Sequence, residues 1–195
     1  ELQTYMVRGD ARTRGEFDLS GSIIKANKAI SVISFHQRTL IPSWDLWNGR
    51  NHLSEMAPPV QSLGKDFSTV EFDRGTGQGD FFRVVAVKPD TYFECDYYDP
   101  VTGEETGSWS GKLQNTGDFA EYLQVSADFP NELKSIRGIS HFRADNPIML
   151  MQYSYSSQWD GNDKFDPFMM LIPNHDQYLN GIVFQAPAGR EFHTN

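Results

Sequence analysis

The stretch "GISHFRADNPIMLMQYS", Gly138–Ser154, reads as two short strands around an Asp-Asn-Pro turn. Aromatic and branched residues favour strands, and Asp, Asn and Pro punctuate them. An earlier stretch, "SGSIIKANKAISVISFH" (Ser20–His36), repeats the arrangement: Ala26 falls on Ala144, Ile30 on Ile148, Val32 on Leu150 and Phe35 on Tyr153. Each copy is therefore predicted to be a β-hairpin. Further on, "EMAPPVQSL" answers "MLIPNHDQYL", with Pro58 on Pro173, and "FSTV" answers "IVFQ". A repeated unit of hairpin, polar loop, proline-marked strand and further strand is the expected organisation. The expected division is a lead-in over 1–16 and a single β domain over 17–195. Its repeat units are 17–136 and 137–195, the second incomplete because it lacks a counterpart of "FFRVVAVKPDTYFE".

The intervening segments have the same character. "SIIKA", "AISVISFH", "DFSTVEF", "DFFRVVAV", "TYFECDYY", "FAEYLQVSA", "FMMLIP" and "GIVFQAP" are short runs bounded by Gly, Pro, Asn or Asp. Hairpin turns are expected at "VKPDTY" and "DPVTGEETGSW". No segment longer than about ten residues carries a convincing helical repeat. The fold class is all-β, with two packed antiparallel sheets; a propeller-like or partly open barrel is the alternative.

"NHLSEMAPPVQSLGKDF", Asn51–Phe67, reads as neither helix nor strand. Its two prolines fix φ and remove backbone donors, which suits a sheet edge or corner. His52, Glu55, Pro58, Pro59 and Gly64 are assigned to that structural corner, which holds out the loop that precedes it.

Two long loops occupy equivalent places in the units. "QRTLIPSWDLWNGRN" carries Trp44, Asp45 and Trp47, and "SSQWDGNDKFD" carries Trp159, Asp160, Asn162, Asp163 and Asp166. Aromatic residues on scaffold loops supply contact area, and short polar groups orient a ligand. Trp44, Asp45, Trp47 and Trp159 are the candidate contacts. Asp160, Asn162, Asp163 and Asp166 offer oxygens of the kind calcium prefers, without full EF-hand spacing. No cofactor is expected beyond that option of calcium.

Bulk properties exclude several classes. A net charge of −9 opposes binding to phosphate backbones, so nucleic acid is not an expected partner. No apolar run approaches the ~20 residues of a membrane span. The single cysteine, Cys95, has no partner for an internal disulfide and reads as a small core residue. The chain starts "ELQTYMVRGD", without Met or a signal-like segment, and reads as a fragment or processed form.

Catalytic signatures are absent from the pattern: no Gly-x-Ser-x-Gly, no His-Glu-x-x-His, and "GTGQGD" (Gly75–Asp80) reads as a hairpin loop. The five histidines show no metal-ligand spacing. A hydrolase would require a pocket bringing His52, Glu55 and a serine together. Arg8-Gly9-Asp10 matches an integrin-binding tripeptide, but three-residue matches arise by chance, and an integrin partner is not expected.

Taken in order, "SGSIIKANKAISVISFHQ", Ile41-Pro42, "NHLSEMAPPVQSLGKDF" and "GDFFRVVAVKPDTYFE" resemble the N-terminal domain of IgGFc-binding proteins. The matching positions include Asn27, Lys28, His36, Asn51, His52, Leu53, Glu55, Pro58, Pro59, Gly64, Lys65, Phe67, Arg83, Val84, Asp90 and Thr91. The resemblance covers about Phe17 to Pro187. It departs at Asn51 (Asp in the family), Leu63 (Trp) and Ala29 (Pro), and lacks cysteines near Arg38 and Arg50. The resemblance implies a non-catalytic, extracellular or cell-surface module of a larger secreted protein, used in adhesion or recognition of a protein or glycan. Binding of antibody Fc is not carried over. The alternative is a building block of a fibre, sheath or appendage that works by self-assembly.

Overall fold

A computed structural model describes residues 3–9, 18–41, 49–74, 78–122, 135–157 and 166–183. Among the described residues the chain is all-β, with nine strands, two 3-10 turns and no α-helix. The strands are β1 (Val32–Thr39), β2 (Asn51–Ala57), β3 (Gly64–Val70), β4 (Phe81–Ala86), β5 (Thr91–Tyr98), β6 (Glu105–Leu113), β7 (Phe119–Glu121), β8 (Ile139–Tyr153) and β9 (Met169–Leu171).

The stretch predicted to be a hairpin is one strand. β8 runs 15 residues through the Asp-Asn-Pro sequence without turning back. Its neighbours hold it extended there. Asp145 accepts a hydrogen bond from the Tyr92 amide (2.9 Å), and the Asp145 carbonyl accepts one from Lys65 Nζ (2.7 Å). Proline lacks a backbone donor and is tolerated in a sheet where ladder pairing is interrupted. Here β5 pairs with β8 up to Ala144, and β4 takes over from Ile148, so Pro147 falls in the gap.

That hand-over also corrects the turn expected at "VKPDTY". β4 and β5 do not pair with each other; both pair antiparallel with β8, end to end along it. Asp90 adopts φ 55° in this link, a conformation Asp tolerates better than most residues. The second expected turn does form. β5 and β6 pair as a hairpin, with the Asp99 carboxylate accepting from the Val101 and Thr102 amides at 2.8 Å each.

β8 thus belongs to two layers. Its first half lies between β3 and β5, with β6 beyond; its second half lies between β9 and β4, with β7 beyond. The layers pack face to face around Phe67, Phe93, Cys95, Phe142, Leu113, Phe82, Val84, Ala86, Ile148 and Leu150. Phe82 meets Phe142 across the core with ring centroids 5.1 Å apart. At the far side Tyr122, just after β7, touches Trp109 of β6 and bonds to the Tyr97 hydroxyl. The result is two packed antiparallel sheets sharing a strand, close to a closed barrel. Cys95 lies in this core, and burial pushes its thiol well above the ordinary range.

A second cluster covers the opposite face of β4 and β8. There Phe81, Met151, Tyr153 and Tyr155 pack with Leu53 of the small β1–β2 sheet. "NHLSEMA" is therefore a strand, contrary to the expectation, because Leu53 has a buried site to fill on one face. The earlier copy of the supposed hairpin is likewise not one. "SIIKA" forms no strand, and β1 pairs forward with β2. Residues 18–20 instead dock through Arg83, which bonds to Ser20, Asp18 and Glu121 and stacks over Phe119.

The link from β3 to β4 is pinned by a buried polar network. Asp80 accepts from Arg74 Nη1, the Phe72 amide (2.8 Å) and Gln152 Nε2 (2.6 Å). Burial pushes the Asp80 carboxyl up to about 6, against the pull of these donors.

Candidate functional site

The described residues that flank the two tryptophan loops lie against one another. Ile41, the last described residue before the first loop, donates its amide to Ser156 Oγ and accepts from the Ser156 amide, both at 3.0 Å. Gly49, the first described residue after that loop, lies against Ser157 with φ 86°; a β-carbon there would come within 2.3 Å of Ser157 Oγ. Ser157 is the last described residue before the second loop. Past that loop the chain is tied back where Phe168 and Ser154 exchange two hydrogen bonds. Trp44, Asp45, Trp47, Trp159, Asp160, Asn162 and Asp163 themselves lie outside the described residues. Asp166 is described and exposed. Arg8 and Gly9 are described, and Asp10 is not.

The proline corner has a structural counterpart at the place the sequence comparison indicated. β2 ends at Ala57, Pro58 and Pro59 follow, and a 3-10 turn spans Val60–Ser62. β9 ends at Leu171, Pro173 follows, and a 3-10 turn spans His175–Gln177. The two corners touch. Asn174 caps the second turn by accepting from the Asp176 amide (2.9 Å), and its Nδ2 donates to the Ser62 carbonyl (2.8 Å). Gly64 sits against the Asn174 side chain. His52 and Glu55 do not converge. They alternate to opposite faces of β2, where His52 packs near Phe35 and Glu55 pairs opposite Ser34. The hydrolase constellation named from the sequence is thus not formed.

A different constellation is. On the outer face of the β3-β8-β5 layer, register places Ser68 opposite His141 and Asp66 opposite Arg143. Asp96 and Glu94 stand opposite the same two residues on the far side. His175 reaches this face from the second 3-10 turn. Close polar contacts link these side chains. Asp66 Oδ1 lies 2.7 Å from His141 Nε2 and 3.0 Å from His175 Nδ1. His175 Nε2 lies 2.9 Å from Ser68 Oγ, and His141 Nδ1 lies 3.0 Å from Arg143 Nη1. Arg143 also donates to Glu94 (2.8 Å) and Asp96 (2.5 Å), which raise its pKa further. The imidazole rings stack at 5.9 Å. A shallow cavity of about 230 Å³ opens beside the cluster between Gly64, Asp66, Pro147 and His175.

Ser68, His175 and Asp66 follow the order of nucleophile, base and acid. However, Ser68 is not part of the cavity wall, and Asp66 is shared by two imidazoles. Sequence reasoning missed this cluster. The polar pairs at i and i+2 in β3, β5 and β8 were visible as alternation, but which strands adjoin was not.

The described residues thus combine an all-β scaffold, loop flanks that meet at Ile41–Ser156 and Gly49–Ser157, and two proline corners in contact. The chain belongs to the IgGFc binding protein family, whose model matches residues 2–195. No curated protein and no solved structure matches the chain. Among the described residues no helix is long and apolar enough to cross a membrane.

Proposed function

We propose that the chain is an extracellular recognition module of a larger secreted or surface-attached protein, binding a protein or glycan partner without catalysing a reaction. The observation that carries the reading is the meeting of the two loop anchors, Ile41 with Ser156 and Gly49 with Ser157. Loops that spring from one place on a rigid sheet can present a shared contact surface. Family membership supports a binding role. Trp44, Asp45, Trp47 and Trp159 are the proposed contacts, because buried aromatic anchors dominate interface energetics. The test is a panel of glycans and extracellular matrix proteins probed with the chain and with a Trp44→Ala/Trp47→Ala variant. The variant is expected to lose at least about tenfold in affinity, with an unchanged thermal midpoint, in line with the worth of a hot-spot residue. Unaltered binding would sink the assignment.

A second reading, self-assembly, rests on the small sheet. Ile33, Phe35 and Met56 are exposed on one face of it, and β1 pairs only with β2 among the described residues. Such a face and edge invite a second copy. Light scattering after size exclusion should then show concentration-dependent association that Ile33→Lys abolishes. A monomer at every concentration rejects this reading.

A further inference from the structure

We propose that Asp66, His141 and His175 form a binding site for a divalent transition-metal ion of the zinc class. The three residues are far apart in sequence, and the fold brings them to one face from β3, β8 and the second 3-10 turn. Their ligand atoms all lie within 4.8 Å of one another. Two imidazole nitrogens and a carboxylate oxygen are the donor set that borderline ions such as zinc accept, leaving a fourth position open. Tetrahedral zinc, with bonds of about 2.0–2.1 Å, holds its ligand atoms roughly 3.3 Å apart. The 2.7 and 3.0 Å separations from Asp66 Oδ1 need only a few tenths of an ångström of opening. The neighbouring cavity gives an ion access from the Asp66–His175 side. A net charge of −9 favours the approach of a cation.

Without metal, the single carboxylate oxygen stands between the two imidazole nitrogens, hydrogen-bonded to His141 Nε2 and 3.0 Å from His175 Nδ1. An ion replaces those two contacts. His175 Nδ1 must then be bare, with its proton on Nε2. Ser68 Oγ, 2.9 Å from Nε2, becomes the acceptor that fixes this tautomer, as outer partners of metal-bound histidines commonly do. His141 is held the other way. Arg143 Nη1 donates toward its Nδ1, which favours a proton on Nε2, where the metal would bind. Arg143 is therefore a positioning residue that opposes metal binding, and its charge adds to that opposition.

The test is zinc titration of the chain by isothermal calorimetry, with a chelator reversal and the thermal midpoint read in parallel. Zinc is expected to bind with one-to-one stoichiometry at this site and to raise the midpoint, since an ion that binds only the folded state stabilises it. His175→Gln and His141→Gln should each weaken binding at least about tenfold, the usual scale for lost ligands and their supports. Arg143→Gln, whose amide oxygen can accept from Nδ1–H, should tighten it several-fold. NMR of the histidine ring protons should show His141 and His175 perturbed by zinc, a readout that does not depend on any variant folding. Absence of binding, affinity retained in both histidine variants, or weaker binding in Arg143→Gln would overturn the proposal.

Discussion

Replacing Asp80 with Ala lowers the folding stability by about 3–5 kcal/mol, the scale for removing one member of a buried ion pair. The carboxylate is the meeting point of three donors: Arg74 Nη1, the Phe72 amide and Gln152 Nε2. Both Asp80 and Arg74 are buried, so water cannot replace what is lost. The damage also spreads along the backbone. Asp80 exchanges two hydrogen bonds with Ile136, at 2.9 and 3.0 Å, and so ties the start of β4 to the chain leading into β8. For a domain of this size the thermal midpoint should fall by roughly 10 °C. The pH dependence checks the cause. The folded carboxyl titrates at about 6, above its ordinary 3.8, so the folded state binds the proton more tightly than the unfolded state does. Stability from this group is therefore full below about pH 4 and declines as pH rises toward 6. The alanine variant lacks that slope. Denaturant titration should give a wild-type advantage larger at about pH 4.5 than at about pH 7.5, by on the order of 1–2 kcal/mol. An equal gap at both pH values would mean that Asp80 is not the group titrating.

Local chemistry made the fold class legible and left the connectivity obscure. Alternation and turn residues identified β3 and β5, where buried and more exposed positions alternate, and a short apolar run identified β4, which is buried on both faces. The Asp99 turn was legible for the same reason: its stop is made by residues adjacent in sequence. The Asp145-Asn146-Pro147 sequence misled, because turn propensity is a local preference and the bonds that keep β8 straight come from Tyr92 and Lys65. "VKPDTY" misled likewise: whether two strands pair or lie end to end depends on a third strand far along the chain. "NHLSEMA" lacked a strand signature because only Leu53 is deeply buried. Pro58 and Pro59 precede a 3-10 turn as Pro173 does, and Gly64 opens β3. The Asp66–His141–His175 cluster had no sequence signature, since its members are assembled by β3–β8 register and by a turn over thirty residues beyond His141.

Gly64→Ala should cost about 2–4 kcal/mol, and for a steric reason alone, because Gly64 does not have the positive φ that favours glycine. A β-carbon at Gly64 would lie 2.4 Å from Asn174 Cγ and 2.5 Å from Asn174 Cβ. The second atom is the harder constraint, since a Cβ moves only with its backbone. Asn174 is buried and committed: it caps the His175–Gln177 turn and donates to the Ser62 carbonyl. Making room for the methyl therefore pulls one proline corner off the other, and His175 moves with its turn. The variant should unfold at lower temperature and, on the metal-site proposal, bind zinc more weakly although no ligand has changed. A double variant, Gly64→Ala with Asn174→Gly, separates the steric effect from any intrinsic effect of alanine in β3. If the clash is the cause, the two substitutions are strongly non-additive, with a coupling of about 1–2 kcal/mol in favour of the double variant. Additive losses would show that Gly64 is needed for something other than the space that Asn174 fills.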